Sequence, residues 1–156
     1  MEDFTQRIAS IRDDREHGSR WLVRQTILLL RDLASENGPT AQQRLERTRQ
    51  AGRELAQARP AMAALAGAVV RILTASDNAD GMARAAGQLL AEYDQAIERI
   101  TAYARPHLQG TIMTHSLSGT VLAVLRACLS SLKQIIILEG RPLYEGRTVA
   151  SELSGQ

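Results

Sequence analysis

Apolar residues return at helical spacing through the first two thirds of the chain and then change period. Phe4, Ile8 and Ile11 predict a short helix with one buried stripe. His17-Gly18-Ser19 interrupts it. Ser19, a favoured N-cap residue, then opens a run from Trp21 to Leu33 whose apolar content predicts a largely buried helix. Asn37-Gly38-Pro39 stops that helix. Thr40 is placed to cap a third, with Ala41, Leu45, Thr48, Gly52 and Leu55 on one face. Pro60 suits the first turn of a fourth, where its missing N–H would have no partner anyway. Met62, Leu65, Val69, Ile72 and Leu73 form that helix's stripe. Beyond the polar link Ser76-Asp77-Asn78-Ala79-Asp80, the face Met82, Ala86, Leu89, Tyr93, Ile97, Ile100 and Ala104 predicts the clearest helix of all, with Pro106 just past its end.

After His107 the pattern shortens. Thr111 to His115 is a β-type run, Ser116-Leu117-Ser118-Gly119-Thr120 a small-residue turn, and Val121 to Leu132 a helix. Gln134 to Glu139 is a continuous apolar run, as in a strand buried on both faces of a parallel sheet. Gly140-Arg141-Pro142 ends it, and Leu143 to Leu153 can form another helix. The order is one βαβ unit followed by a loop and a helix. Two parallel strands do not make a stable sheet. Either a second copy or a partner chain covers the open sheet, or the polypeptide is shorter than its fold; the second is the more economical.

Composition narrows the class. With 156 residues, 44% apolar and 23% charged, the chain can bury one ordinary core. Aromatics are only 3%, so aliphatic side chains must build that core. The net charge of +2, spread over interleaved arginines and acids such as Arg44, Glu46, Arg47, Arg49, Arg53 and Glu54, reads as solvated helix faces and not as a direct nucleic-acid surface. Cys128 is the only cysteine, which excludes an intrachain disulfide and a cysteine-rich metal site and reads as a small buried residue in mid-helix. No apolar run approaches the ~20 residues needed to span a bilayer, and Met1-Glu2-Asp3-Phe4 lacks a secretory signal. The expectation is a cytoplasmic protein without membrane contact, metal or cofactor.

The turn between the two strands carries the candidate chemistry. Open N–H groups and the macrodipole favour an anion at a helix N-terminus. Gly119 permits close approach there, and Ser118 and Thr120 offer hydroxyls. His115, at the strand end, reads as a hydrogen-bonded structural histidine.

Three segments resemble a known family. Gly18-Ser19-Arg20-Trp21-Leu22 resembles its glycine-containing N-terminal loop, and Arg59-Pro60-Ala61-Met62 its Arg-Pro turn. Thr114-His115-Ser116-Leu117-Ser118-Gly119-Thr120-Val121 and Glu139-Gly140-Arg141-Pro142-Leu143-Tyr144-Glu145-Gly146-Arg147 are similar to its paired signatures. The family is that of the translation initiation factor 2B α, β and δ subunits, in a superfamily shared with ribose-1,5-bisphosphate and methylthioribose-1-phosphate isomerases. The resemblance implies an α-helical N-terminal domain over residues 1–109, followed by the start of a Rossmann-like α/β domain over 110–156, one truncated βαβ unit.

It also implies site roles. Ser116, Ser118, Gly119 and Thr120 would cradle the phosphate of a phosphorylated sugar or nucleoside monophosphate. Arg59 would grip that ligand through its guanidinium, and Gly18 and Ser19 would close over the sugar. Arg141 and Glu145, read from the residues alone, are expected to pair locally and brace their loop and not to contact the ligand. At the position of Ser116 the isomerases carry a cysteine that acts in proton transfer, and their acidic partner lies further along the chain. No catalytic residue is therefore assigned. Three functional expectations stand: a non-catalytic, sugar-phosphate- or nucleotide-binding regulatory protein; an aldose–ketose isomerase of a ribose-1-phosphate-type sugar; and an inactive gene fragment.

Overall fold

The computed structural model of the chain describes residues 4–155. Seven helices and two strands follow in order: α1 (Phe4–Asp13), α2 (Ser19–Ala34), α3 (Ala41–Ala58), α4 (Ala63–Leu73), α5 (Ala79–Ala104), β1 (Gly110–Thr114), α6 (Gly119–Cys128), β2 (Leu132–Ile137) and α7 (Glu145–Ser154). Single 3-10 turns, Arg105–His107 and Leu129–Ser131, follow α5 and α6. Two compact units result, Met1–Tyr93 and Asp94–Gln156, so their boundary falls inside α5, whereas the change from helix to strand falls at Gly110. Among the described residues no helix is long and apolar enough to cross a membrane.

In the first unit α2 packs against α3 and α4, and α1 against α2 and α3. The core is aliphatic: Leu22, Ile27, Leu29, Leu30, Leu55, Leu65, Ile72 and Met82 are its largest fully buried side chains. Thr40 caps α3 in a reciprocal box, its hydroxyl accepting from the Gln43 N–H at 3.2 Å while the Gln43 side chain accepts from the Thr40 N–H at 2.9 Å. Two expected boundaries move. Gly18, not Ser19, is the N-cap of α2, and its carbonyl accepts from Trp21 and Leu22. Pro60 lies outside α4, in a turn closed by the Met62 N–H donating to the Arg59 carbonyl at 2.9 Å. It is the second of that turn's four residues, a place where its fixed φ is equally welcome.

In the second unit β1 and β2 are parallel. The register pairs Ile112 with Ile135, Met113 with Ile136 and Thr114 with Ile137. Paired residues share a face. Met113 and Ile136 are 63% and 38% exposed, and Leu138 just beyond β2 is 41% exposed. The run expected to be buried on both faces therefore keeps one side open to solvent. Cys128 is fully buried, as expected, but it is the last residue of α6 and not in mid-helix: the helix expected to run to Leu132 gives way to a 3-10 turn at Leu129.

Candidate functional site

The turn from His115 to Ser118 connects the carboxyl end of β1 to the N-terminus of α6. Ser116 has φ 60, the left-handed region that costs a residue with a Cβ ~1–2 kcal/mol. Ser118 is the N-cap of α6, and its hydroxyl accepts from the Val121 N–H at 3.4 Å. That oxygen serves its own helix. The N–H groups of Gly119 and Thr120, the first two of α6, have no acceptor within the helix and remain for an incoming anion. Ser116, Ser118, Gly119 and Thr120 thus sit on one connection, and all are half-buried. His115 is exposed, and no hydrogen bond to another described residue holds its ring in the structural role expected of it.

Beside the turn lies an apolar groove of about 440 Å³, in which Thr114 and Thr120 are joined by Ile112, Val121, Val124 and Leu125. Among the described residues no cluster of His, Cys, Asp or Glu is placed to hold a metal ion.

The loop after β2 is closed by a carboxylate between two guanidinium groups. Glu139 accepts from Arg141 Nε at 3.1 Å and from Arg147 Nη2 at 2.8 Å. The Tyr144 ring lies between the same arginines, 4.6 Å from Arg141 and 4.7 Å from Arg147, and its hydroxyl accepts from Arg141 at 3.0 Å. Arg141 therefore pairs with Glu139 and not with Glu145. Glu145 begins α7, where a carboxylate complements the helix dipole.

The first unit holds Gly18, Ser19 and Arg59. Arg59 is the C-cap of α3. Its Nε donates to the Ile11 carbonyl at 3.1 Å and its Nη2 to the Asp14 carbonyl, at the end of α1. The guanidinium is thus engaged by backbone. The stretch it holds contains a cluster that no periodicity announces. Asp14 Oδ1 accepts from the N–H groups of Glu16 at 3.1 Å and His17 at 2.8 Å, and Oδ2 accepts from His17 Nδ1 at 2.7 Å. The His17 ring stacks on Trp21, centroids 3.8 Å apart and planes at 13°.

Burial alone would raise the Asp14 pKa, but the His17 ring and the two backbone N–H groups outweigh it and hold the carboxyl below the ordinary value. A depressed carboxylate contributes stability that is present above the unfolded pKa, about 3.9, and is lost as pH falls through the folded value. The melting temperature of the native chain should exceed that of Asp14→Asn by a constant margin at neutral pH, and the margin should shrink below about pH 4. A margin unchanged down to about pH 2 would show that the carboxylate contributes nothing.

The class defined by these features is an α-helical domain joined to a parallel α/β unit with an open turn at a strand's carboxyl end. The chain belongs to the Initiation factor 2 subunit family, whose sequence model matches residues 15–156. The fold is similar to the translation initiation factor eIF-2B of Pyrococcus horikoshii OT3, at 24% identity and a TM-score of 0.85, over 99% of this chain and 57% of that one. It is similar to the 5-methylthioribose 1-phosphate isomerase of the same organism, at 23% identity and a TM-score of 0.77, over 97% of this chain and 49% of that one. It also matches a chain of the tetrameric eIF2B-beta2-delta2 complex of C. thermophilum, at 20% identity and a TM-score of 0.70, over 97% of this chain and 56% of the other. The chain therefore spans about half the length of these relatives. A sequence search of the curated proteins finds no match.

Proposed function

We propose that this chain is a non-catalytic binding and regulatory protein of the initiation factor 2B type, taking a phosphorylated sugar or a nucleoside monophosphate at the Ser116–Thr120 turn. The observation that carries this reading is the left-handed Ser116 poised between a strand end and the open N-terminus of α6. A strained residue at such a junction is a feature of ligand-binding turns, and the free N–H groups of Gly119 and Thr120 suit a phosphate. Nothing in this turn favours turnover. Moving a proton between adjacent sugar carbons needs a base that ionises near neutral pH, and among the described residues no histidine or carboxylate hydrogen-bonds Ser116 to activate it. The likeness to a methylthioribose 1-phosphate isomerase supports the second reading, an aldose–ketose isomerase, in which Ser116 would have to be replaced functionally. The exposed Met113, Ile136 and Leu138 favour a second copy or a partner chain over the sheet, as does the tetrameric relative.

Ribose 5-phosphate and adenosine monophosphate are the probes. At ten times its Kd either should stabilise the native chain by about 1.4 kcal/mol, a rise in Tm of about 3–6 °C. Ribose alone should give no shift, and Gly119→Pro should abolish the shift with phosphate esters. No rise with either probe at millimolar concentration would overturn the reading.

A further inference from the structure

Hydrogen bonding along the connection between α2 and α3 stops at Glu36 and resumes at Thr40. The Glu36 N–H donates to the Leu33 carbonyl at 3.5 Å, and the Glu36 carboxylate accepts from Arg47 at 2.6 Å. On the far side the Thr40 N–H donates to Gln43 Oε1 at 2.9 Å. Between them, neither the N–H groups of Asn37 and Gly38 nor the Asn37 side chain has a hydrogen-bond partner among the described residues. Pro39 has no N–H to give. Asn37 and Gly38 are both exposed. Gly38 has φ 108, and nothing lies within 4 Å of the place a Cβ would take. Its nitrogen is therefore shielded neither by a side chain of its own nor by a neighbour, and its backbone is the least restricted of any residue type.

We propose that Asn37–Gly38 is a self-modification site, at which the folded chain converts an asparagine into aspartate and isoaspartate. The Gly38 nitrogen gives up its proton to water and attacks Asn37 Cγ. The N–Cγ bond forms, the Cγ–Nδ2 bond breaks, and ammonia leaves with a proton returned by water. A second water opens the cyclic imide. Attack at Cγ gives aspartate; attack at the main-chain carbon gives isoaspartate, whose backbone runs through Cγ. Either product adds a negative charge next to Glu36, and isoaspartate also lengthens the connection between α2 and α3 by one main-chain carbon. Both products stay exposed, so the new charge is hydrated and the fold does not resist it.

Comparable pairs elsewhere are held. Asn78 is the only other asparagine, its Oδ1 accepts from the Gly81 N–H at 2.8 Å, and the next residue, Ala79, begins α5 and is buried. Asp80–Gly81 could close the same ring, but the Gly81 nitrogen is committed to Asn78, the Asp80 carboxylate accepts from Arg44 at 2.7 Å, and both residues are helical.

Trypsin places the two asparagines on separate peptides, residues 32–44 and 72–84. After the folded full chain stands in mildly alkaline buffer at body temperature, the 32–44 peptide should yield two acidic isomers, with isoaspartate in excess. That isomer should accept a methyl group from S-adenosylmethionine through an isoaspartyl methyltransferase, and the 72–84 peptide should stay native. Asn37→Gln should leave its peptide unchanged, which separates Asn37 from Gln42 and Gln43 beside it. The rate at Asn37 should lie within about tenfold of that in urea-unfolded chain. Ala79→Gly, if folded by circular dichroism, gives Asn78 the same glycine neighbour and should still react more than about tenfold slower than Asn37. A 32–44 peptide that converts in urea but stays native in the folded chain would overturn the proposal. Equal rates at Asn37 and at Asn78 of folded Ala79→Gly would overturn the hydrogen bonding as its cause.

Discussion

Adding one methyl group at position 146 should disrupt the second unit. Gly146 is the second residue of α7, and its N–H donates to the Glu139 carbonyl at 2.9 Å. A Cβ there would stand 2.1 Å from the Leu138 carbonyl oxygen, and 2.9 Å from both the Leu138 carbonyl carbon and Glu139 Cα. All three are backbone atoms, so no rotamer change relieves the clash. The helix must back away from the strand end, and the Glu139–Arg141–Arg147–Tyr144 loop closure goes with it. Overpacking typically costs 1–3 kcal/mol, and contact with fixed backbone belongs at the upper end, about 3 kcal/mol or more. Gly67→Ala is the control, since nothing lies within 4 Å of a Cβ there. Gly67 is exposed in mid-helix, where alanine should stabilise by about 0.5–1 kcal/mol. Hydrogen exchange of the β2 and α7 amides should rise sharply in Gly146→Ala and stay native in Gly67→Ala. Equal stability of Gly146→Ala and the native chain would show that the strand-to-helix junction is not as close as described.

The features legible in the sequence were those fixed by local spacing. The stripe Met82, Ala86, Leu89 forecast the buried face of α5, and Thr40 was legible as the cap of α3, whereas the reciprocal bond from Gln43 emerges only in the structure. Parallel pairing of the two late strands followed from the helix between them. The boundaries that shifted did so because two local solutions were nearly equivalent. Glycine at the N-cap costs only tenths of a kcal/mol more than serine, and Pro60 serves a turn as well as a helix start. The Arg141 partner was misread for a different reason. Arg141 has carboxylates on either side at 139 and 145, spacing alone does not choose between them, and in the folded loop its guanidinium turns back to Glu139. The Asp14–His17–Trp21 cluster and the engagement of Arg59 were illegible. The Arg59 contacts bridge 48 and 45 residues and depend on where the ends of α1 and α3 meet. The turn at Ser116–Thr120 was legible as a connection, but its left-handed serine was not, since no residue type there demands a positive φ.

Leu30→Ala should cost the first unit about 2–5 kcal/mol. Leu30 is completely buried in α2, the helix that packs against both α3 and α4. Its neighbours in the core are aliphatic and already close-packed, with Leu22, Ile27, Leu55, Leu65 and Ile72 all essentially inaccessible. Removing three carbons therefore loses their transfer free energy, and a cavity remains that rigid helices can only partly close. Against a domain stability of about 5–15 kcal/mol this is a large fraction, and the Tm should fall by about 10 °C. The buried core is aliphatic, and Phe4, Trp21 and Tyr93 pack against it only partly buried. Amide exchange should quicken through α2, α3 and α4, whose protection derives from the same core. A loss below about 1 kcal/mol would mean that the bundle collapses around the vacancy, and that its packing is looser than its burial indicates.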